Sequence, residues 1–363
     1  MADEHDVAHE NGKPGGDSVT KAVHTVHWGF KYYLARSPEL EAIKHHTDLP
    51  DVRGTLFSSK EAKQHYSKKV PPGEFCMWRR GRPSVGVVSN CQGPEIARAL
   101  ASISDISVYG LEVMMTKNQD PSPYLQILDS CEFILAAQMG DDWGAFSASE
   151  LRARYGNRVV FYTPVYYLGL HPDITYVGKT SLRIPSPVGD YHSRIILSHF
   201  LGNRSIEESL THFCASGFED FGYRKAAIAS EQEYRNREQK TELKTADWFF
   251  QHIASEPLLY SLNHPTPKLT QEIAKIFLSK VKITAHDLDS ALTPSGLSSN
   301  IVWPIHRFWA NALGLRYHSS ELFHTSMYAM DLEEFAWRSY EIYKRVDFDV
   351  LAGDAAARGV LPI

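Results

Sequence analysis

Apolar runs alternate with segments of helical periodicity between residues 84 and 190. "SVGVVSN" at 84–90 is apolar on successive residues, which is typical of a parallel strand buried on both faces. "PEIARALASI" follows with helical spacing, and Pro94 stands near the first helical position, where proline is favoured. Further strands are predicted at "ISVYGLEVM", "CEFILAAQ", "RVVFYTPVYY" and "ITYVG". This alternation predicts an α/β fold with a mostly parallel sheet flanked by helices.

The pattern becomes helical after about residue 190, which predicts a large helical C-terminal half. "DYHSRIILSHFLG" predicts a helix that is capped by Asp190 and stopped at Gly202, and residues 223–254 predict one long charged helix. We divide the chain into four parts on this basis. They are a disordered tail at 1–20, an extension packed on the core at 21–83, an α/β core carrying Cys91 at 84–190, and a helical part completing the site at 191–363.

Composition narrows the class of protein. The chain has 363 residues, of which 43% are hydrophobic and 22% charged, so a substantial core can form. The net charge of −5 provides no basic field for nucleic acid. The four cysteines share no CxxC spacing, so we expect neither a metal site nor a disulfide framework. With no apolar run of about 18 residues and no signal-like N-terminus, we expect a cytoplasmic protein without a transmembrane segment.

Cys91 lies where the first buried strand turns into a helix. Ligands bind at the carboxyl ends of the strands in open parallel sheets, and this turn would place the thiol there. A helix N-terminus favours the thiolate, and the backbone N–H groups of Cys91, Gln92 and Gly93 would point into the same crevice as oxyanion donors. The alternative is a small buried core residue, but two amides beside the thiol argue against it.

A cysteine nucleophile needs a base, usually a histidine close in space. His192 follows Asp190 by two residues at a predicted helix start, so the carboxylate would orient the imidazole. The alternative is that Asp190 caps the helix and His192 is exposed in its first turn. His264 in "LNHPTP" is a second candidate, and His171 in "LGLHPD" is a weaker third. Gln138, at the end of the third strand, would reach the crevice with its amide.

Four segments in this order resemble the WcbI family of polysaccharide-biosynthesis enzymes. They are "SNCQG", "FYTPVYYLGLHPDITYVG", "GDYHSRIILSHFLG" and "LLYSLNHPTPKLTQEIAKIFL", within roughly residues 83–281. The resemblance implies an acetyltransferase that uses coenzyme A and acts on capsular polysaccharide. It also implies that Cys91 is a nucleophile or acyl-site residue with Asn90, Gln92 and the two histidines around it. The glycine usual before Asn-Cys-Gln is Ser89 here. A looser likeness of layout to the SGNH hydrolases exists, with Cys91 in the place of their serine.

Three functions remain open on the sequence alone. The first is a coenzyme A-dependent acyltransferase, in which acetyl-coenzyme A is the donor and a saccharide hydroxyl the acceptor. In that case Arg79, Arg80 and Arg82 are expected to meet the cofactor phosphates. The second is a cysteine-dependent esterase or thioesterase with the same residues. The third is a non-catalytic module that binds a glycan or a nucleotide.

Overall fold

The computed structural model describes residues 75–78, 82–116, 119–179, 183–293, 295–297, 301–317, 319–325 and 327–363. The tail predicted at 1–20 lies outside these residues, as does most of the extension predicted at 21–83.

A five-stranded sheet forms the centre of the fold, in the order β1-β3-β2-β4-β5. Only β1 is antiparallel to its neighbour, and the remaining pairs are parallel, which confirms the predicted mostly parallel sheet. The chain proceeds from β2 to β3 on one side and then to β4 on the other. The carboxyl ends of β2 and β4 therefore border a topological switch point, where α/β folds bind ligands. The strands are β1 (Phe75–Trp78), β2 (Ser84–Ser89), β3 (Ser107–Glu112), β4 (Phe133–Ala137) and β5 (Val159–Tyr162).

Both faces of this sheet are covered, as its continuous apolar strands require. Val85 and Val87 of β2 pack in one hydrophobic cluster, whereas Val88 packs in another on the opposite face. This division follows from the alternation of side chains along a strand. The helices of this half are α1 (Gly93–Ile103), α2 (Ser122–Asp129) and α3 (Ala148–Tyr155).

The second half is rich in helices, as predicted, but the long helix expected at 223–254 is two helices. Glu238 ends the first, and its buried carboxylate accepts hydrogen bonds from the backbone N–H groups of Thr245 and Ala246 at the start of the second. The chain therefore breaks where one carboxylate satisfies the unpaired N–H groups of the next helix. The helices are α4 (Arg194–Leu201), α5 (Ile206–Thr211), α6 (Ala215–Asp220), α7 (Tyr223–Glu238), α8 (Ala246–His252), α9 (Pro267–Lys280), α10 (Arg307–Ala312), α11 (Leu332–Tyr343) and α12 (Phe348–Ala356).

Short strands lie between these helices and form two strand pairs and one three-stranded sheet. The segment "ITYVG" forms no fifth parallel strand, because its two strand residues pair antiparallel with His192–Ser193 outside the main sheet. The short strands are β6 (Ile174–Thr175), β7 (His192–Ser193), β8 (Leu259–Ser261), β9 (His264–Pro265), β10 (Ile301–Val302), β11 (Phe323–Thr325) and β12 (Ala329–Met330). Among the helices given above, none has both the length and the apolar composition needed to span a bilayer.

Candidate active site at the ends of β2 and β4

Cys91 occupies the tight turn between β2 and α1, at the carboxyl edge of the sheet. The turn is closed by Asn90, whose carbonyl accepts from Gly93 N–H at 2.9 Å and whose Oδ1 accepts from Gln92 N–H at 3.1 Å. A Cβ at Gly93 would lie 3.1 Å from the Leu111 carbonyl oxygen, so the close approach of α1 to β3 favours glycine. The N–H groups of Gln92 and Gly93 thus bond to Asn90, which corrects the predicted use of these two as oxyanion donors, whereas that of the Cys91 N–H group stays a prediction.

Gln92 joins this turn to two distant segments. Its Oε1 accepts from Val165 N–H at 3.0 Å, and its Nε2 donates to the carbonyls of Val165 at 2.8 Å and Asn263 at 3.0 Å. The side chain is fully buried, so its amide is not available to a cofactor, contrary to the prediction. Its effect is to hold the β8–β9 hairpin beside Cys91.

A cluster of polar side chains, termed here the tyrosine–histidine cluster, consists of Tyr191, Ser261, Asn263 and His264. The Tyr191 hydroxyl donates to Asn263 Oδ1 at 2.6 Å, lies 3.3 Å from His264 Nε2, and accepts from Ser261 Oγ at 3.3 Å. Burial lowers the pKa of His264 to about 4, so this imidazole is neutral at physiological pH. Burial raises the pKa of Tyr191, which therefore remains a hydroxyl that can donate or relay a proton.

Three tyrosines lie around the Cys91 thiol. Burial is the main cause that raises the pKa of Tyr162, Tyr176 and Tyr191, and a thiolate at Cys91 would raise each further, so all three are electrostatic neighbours of the sulfur. Tyr176 and Tyr191 have their ring centres 5.2 Å apart. The tyrosine–histidine cluster is thus continuous with the surroundings of the thiol.

The thiol itself is held in its protonated form. Burial, followed by the negative charges of Glu112 and Glu95, raises the pKa of Cys91 to about 12. Glu112 ends β3 in register with Ser89, and Glu95 lies in the first turn of α1. A helix N-terminus is typically worth about 0.3–1 kcal/mol, less than one pKa unit, whereas burial shifts pKa values by up to 3–5 units. The effect of burial on the pKa of Cys91 is therefore larger than that of the helix N-terminus, and the predicted thiolate does not form.

His192 lies in β7 and not in the first turn of a helix, because α4 is capped by Ser193 and begins at Arg194. Its Nδ1 lies 2.9 Å from the Tyr343 hydroxyl and its Nε2 lies 2.9 Å from the Ile184 carbonyl. Adjacent residues of an extended chain point to opposite sides, so Tyr191 faces the crevice and His192 faces α11. Both ring nitrogens are bonded elsewhere, which corrects the predicted pairing of His192 with Cys91.

Asp190 does not orient His192 by a hydrogen bond, and it does not cap the helix. Its side chain is largely exposed and lies 3.8 Å from Nε of Arg183. Burial lowers the pKa of His192 to about 4, and the negative charge of Asp190 raises that pKa only slightly. Charge is thus the only way in which Asp190 acts on His192. The predicted Asp190–His192 pair is therefore wrong in its geometry.

Gln138 follows β4 directly, as predicted, and lines a cavity of about 270 Å³ with Thr163, Pro164, Arg237 and Lys240. It therefore lies at the strand ends, one strand away from Cys91.

Arg82 lies at the opposite edge of the sheet, because the six residues of β2, spanning about 20 Å, separate it from Cys91. Its exposed side chain lies 3.9 Å from Glu132, which corrects its predicted role at the cofactor phosphates. Arg79 and Arg80 lie outside the described residues.

Four other arginines lie together beside the crevice, and we call them the arginine cluster. Partial burial raises the pKa of Tyr166 overall, and the charges of all four arginines act in the opposite direction. The four guanidinium groups therefore lie near this tyrosine, which is itself 39% exposed. Among the described residues, ion pairs reach the cluster only from Asp190 and Glu233, so positive charge is in excess. One member stacks on Tyr176 with its guanidinium carbon 3.6 Å from the ring centre, and this links the cluster to Cys91. The cluster consists of Arg183, Arg194, Arg237 and Arg358.

Sequence reasoning missed the arginine cluster and Tyr191. The arginines are spread over 176 positions, from 183 to 358, without a basic run that would mark them. Tyr191 lies between Asp190 and His192, and this acid–histidine pattern predicts a catalytic pair that does not include the tyrosine. An extended interpretation of "DYHS" would have placed Tyr191 and His192 on opposite faces.

The fold and the site define an α/β protein with a cysteine turn at the switch point of a parallel sheet. The family model for the polysaccharide biosynthesis enzyme WcbI matches residues 84–286, more than half of the chain. The chain therefore belongs to the WcbI family of polysaccharide biosynthesis enzymes, which confirms the resemblance of the four segments.

A solved structure of a WcbI protein has the same fold. It superposes with a TM-score of 0.61 and 15% sequence identity, covering 77% of this chain and 96% of that chain. That protein is described as a novel polysaccharide biosynthesis enzyme, in native form without a disulfide bond between coenzyme A and one of its cysteines. No curated protein matches the sequence with significance.

Proposed function

We propose that this chain is a coenzyme A-dependent acyltransferase that moves an acetyl group to a saccharide hydroxyl. One observation carries the proposal. Tyr176 contacts Tyr191 of the tyrosine–histidine cluster and Arg183 of the arginine cluster, and both tyrosines are close enough to Cys91 to interact with it electrostatically. A single crevice thus combines a neutral base, hydroxyl donors and an excess of guanidinium groups.

The arginine cluster fits the phosphate groups of coenzyme A. Guanidinium groups recognise phosphate through paired, charge-assisted hydrogen bonds, and four of them exceed what Asp190 and Glu233 can neutralise. Nη1 of Arg183 is buried and makes no hydrogen bond within the described residues, so it is a donor without an acceptor. The related structure is described as lacking a disulfide bond between coenzyme A and a cysteine. This mention of a bond between the two supports placing the cofactor sulfur beside Cys91.

The tyrosine–histidine cluster would handle the proton of the reaction. Bound acetyl-coenzyme A supplies an acyl thioester. The saccharide oxygen forms the new ester bond while its proton passes to the Tyr191 oxygen. The Tyr191 hydroxyl hydrogen turns from Asn263 Oδ1 to Nε2 of neutral His264, which takes it up. The carbon–sulfur bond breaks as the tetrahedral arrangement collapses, and the proton is returned to the departing sulfur. Atoms and charge balance without a further reactant.

Cys91 would act in this scheme as a neutral thiol beside the reacting sulfur and not as a nucleophile. With a pKa of about 12, only about one thiol in 10⁵ is ionised at pH 7. Direct transfer therefore has an advantage over a covalent acyl-cysteine, whose formation would first require deprotonation of that thiol.

Thermal unfolding with added ligands tests the proposal. Coenzyme A and acetyl-coenzyme A should each raise Tm, since a ligand at about 100 times its Kd adds about 2.7 kcal/mol to the free energy of unfolding. Acetyl-coenzyme A should release free thiol rapidly only when a saccharide acceptor is present. Equal release with water alone would identify a thioesterase instead. The absence of any Tm shift at millimolar coenzyme A would refute the proposal.

A further inference from the structure

A second cavity lies beside the β8–β9 hairpin. Its volume is about 510 Å³, within the range of about 300–1,000 Å³ typical of small-molecule sites. Its walls come from the start of α9, from β8 and from the segment that follows β10. Cys91, Tyr191 and the arginine cluster do not line it, so it is distinct from the crevice already described.

The lining combines aromatic faces with hydroxyl groups. Tyr260, Trp303 and Tyr317 provide flat apolar surfaces, and six serine and threonine side chains surround them. Aromatic faces suit the C–H surfaces of a sugar ring, and hydroxyl groups can donate to and accept from its hydroxyls.

The charges in the cavity cancel. Lys268 and Glu256 are the oppositely charged members of the lining, and Nζ of the lysine lies 3.2 Å from Oε2 of the glutamate. His171 is uncharged at neutral pH because burial lowers its pKa to about 3. The cavity therefore has no excess charge to attract a phosphate or a carboxylate, in contrast to the arginine cluster.

Two buried polar groups in the wall have no regular hydrogen bond. His171 is 1% exposed, and neither of its ring nitrogens has a partner of good geometry within the described residues, although the Trp303 backbone lies near enough to affect its pKa. The residue Tyr317 is half-buried, but its hydroxyl oxygen is buried and has no hydrogen-bond partner within the described residues. Buried polar atoms nearly always have partners, so these two are poised for groups of a ligand.

The cavity adjoins the reacting groups. The Trp303 indole lines it and packs edge-on against Tyr191, with ring centres 6.5 Å apart and an interplanar angle of 84°. Thr266, another lining residue, follows His264 by two positions. We infer that this cavity binds a neutral saccharide unit and, resting on the proposed acyl transfer, that it holds part of the acceptor.

Saturation-transfer NMR without coenzyme A tests the inference directly. Glucose, galactose, N-acetylglucosamine and maltose at tens of millimolar serve as neutral probes, and glucuronate and glucose 6-phosphate as charged ones. At least one neutral sugar should bind roughly tenfold or more tightly than either charged sugar, because each charge must be desolvated without a partner. Equal binding of charged and neutral sugars, or no binding of any neutral sugar, would overturn the inference.

Three variants locate the binding. Ala291→Trp places an indole at an exposed position of the cavity rim and should abolish sugar binding, whereas Ala356→Trp on exposed α12 is the matched control. His171→Phe removes both nitrogens at similar volume and should weaken binding at least fivefold while the protein stays folded. Sugar binding that survives both cavity variants would place the site elsewhere and refute the inference.

The coenzyme A titration separates this inference from the proposed function. Ala291→Trp should retain the coenzyme A shift in Tm and lose acyl transfer. If the cavity binds sugars but coenzyme A does not bind, the proposed function fails and the saccharide site stands. If coenzyme A binds but Ala291→Trp transfers acyl groups to saccharides normally, the acceptor role of the cavity fails.

Discussion

The Tyr191 hydroxyl lies 3.3 Å from Nε2 of His264 and 2.6 Å from Oδ1 of Asn263. The β8–β9 hairpin and the segment before α4 therefore meet at one buried hydroxyl beside Cys91. Gln92 fixes this arrangement, because its amide bonds to the carbonyl of Asn263. The cysteine turn and the tyrosine–histidine cluster are held together by hydrogen bonds between segments more than 70 residues apart.

Removing the Tyr191 hydroxyl should impair acyl transfer without unfolding the protein. General-base assistance is typically worth about 10²- to 10⁴-fold, so Tyr191→Phe and His264→Ala should each lower kcat by a factor in that range. Because the two side chains act on one proton, the double variant should lose little more than either single one. Tyr328→Phe, at an exposed position, is the control. If the kcat of the double variant fell by the product of the two single factors, the two side chains would not share one proton path.

Cys91 should alkylate more slowly than Cys214 in the protein without ligand at pH 7. Hydrogen bonds from Ser216 and the Gly217 backbone lower the pKa of Cys214, whereas burial and two carboxylates raise that of Cys91 to about 12. Mass-mapped labelling with iodoacetamide measures both rates. Glu112→Gln should speed labelling of Cys91. Glu333→Gln, at an exposed position of α11, should not change it. Faster labelling of Cys91 than of Cys214 would show that the helix N-terminus dominates after all.

His192 should matter for stability and not for catalysis. His192→Ala removes partners from the Tyr343 hydroxyl and the Ile184 carbonyl, and each such loss costs about 1–3 kcal/mol. Urea unfolding should show this loss, while His192→Gln, which can keep one hydrogen bond, should lose less. Both variants should retain kcat at a temperature where they are folded. A folded His192→Gln with a 10²-fold lower kcat would restore the base role first predicted for it.

The arginine cluster should recognise phosphate groups and not the pantetheine arm. Arg183→Gln and Arg358→Ala should each weaken coenzyme A binding about tenfold, since hydrogen bonds to charged groups are worth about 1.5–3 kcal/mol and exposure reduces that. Neither variant should alter binding of pantetheine, which has no phosphate. Arg82→Ala, at the other edge of the sheet, should behave as the wild type. Calorimetric titration measures both affinities. A loss of pantetheine binding in Arg358→Ala would contradict the assignment of the arginine cluster to the phosphate groups.

The sequence was sufficient for the fold and for the position of Cys91, because both depend on local patterns. Uninterrupted apolar runs gave β2 and β4, and Pro94 with its helical spacing gave α1. The neighbours of Cys91 could not be predicted in this way, since Tyr162, Tyr176 and Tyr191 come near it through tertiary packing alone. Two errors came from local reasoning itself. The sequence of "DYHS" predicts a helix start, whereas the extended chain there places Tyr191 and His192 on opposite faces. The position of Cys91 before a helix predicts a thiolate, whereas burial raises its pKa.

Acid should destabilise the protein in the window between about pH 6.5 and pH 4. Burial lowers the pKa of His171 to about 3 and of His192, His264 and His306 to about 4, whereas an unfolded histidine has a pKa of about 6.5. In this window the unfolded chain binds more protons than the folded one, so the free energy of unfolding falls as pH falls. Each histidine contributes about 1.4 kcal/mol per pH unit, and buried Glu95 and Asp173, with raised pKa values, offset part of the total.

Urea unfolding at pH 7.5, 6.0 and 5.0 measures this slope. His171→Phe should reduce it by about 1.4 kcal/mol per pH unit, because one group that must stay neutral on folding is gone. His286→Asn, at an exposed position beside Asp105, is the comparison variant. The sign is decisive: a folded protein that gained stability from pH 6.5 to pH 5 would require these imidazoles to be charged inside the fold. That would also remove His264 as a neutral proton acceptor beside Tyr191.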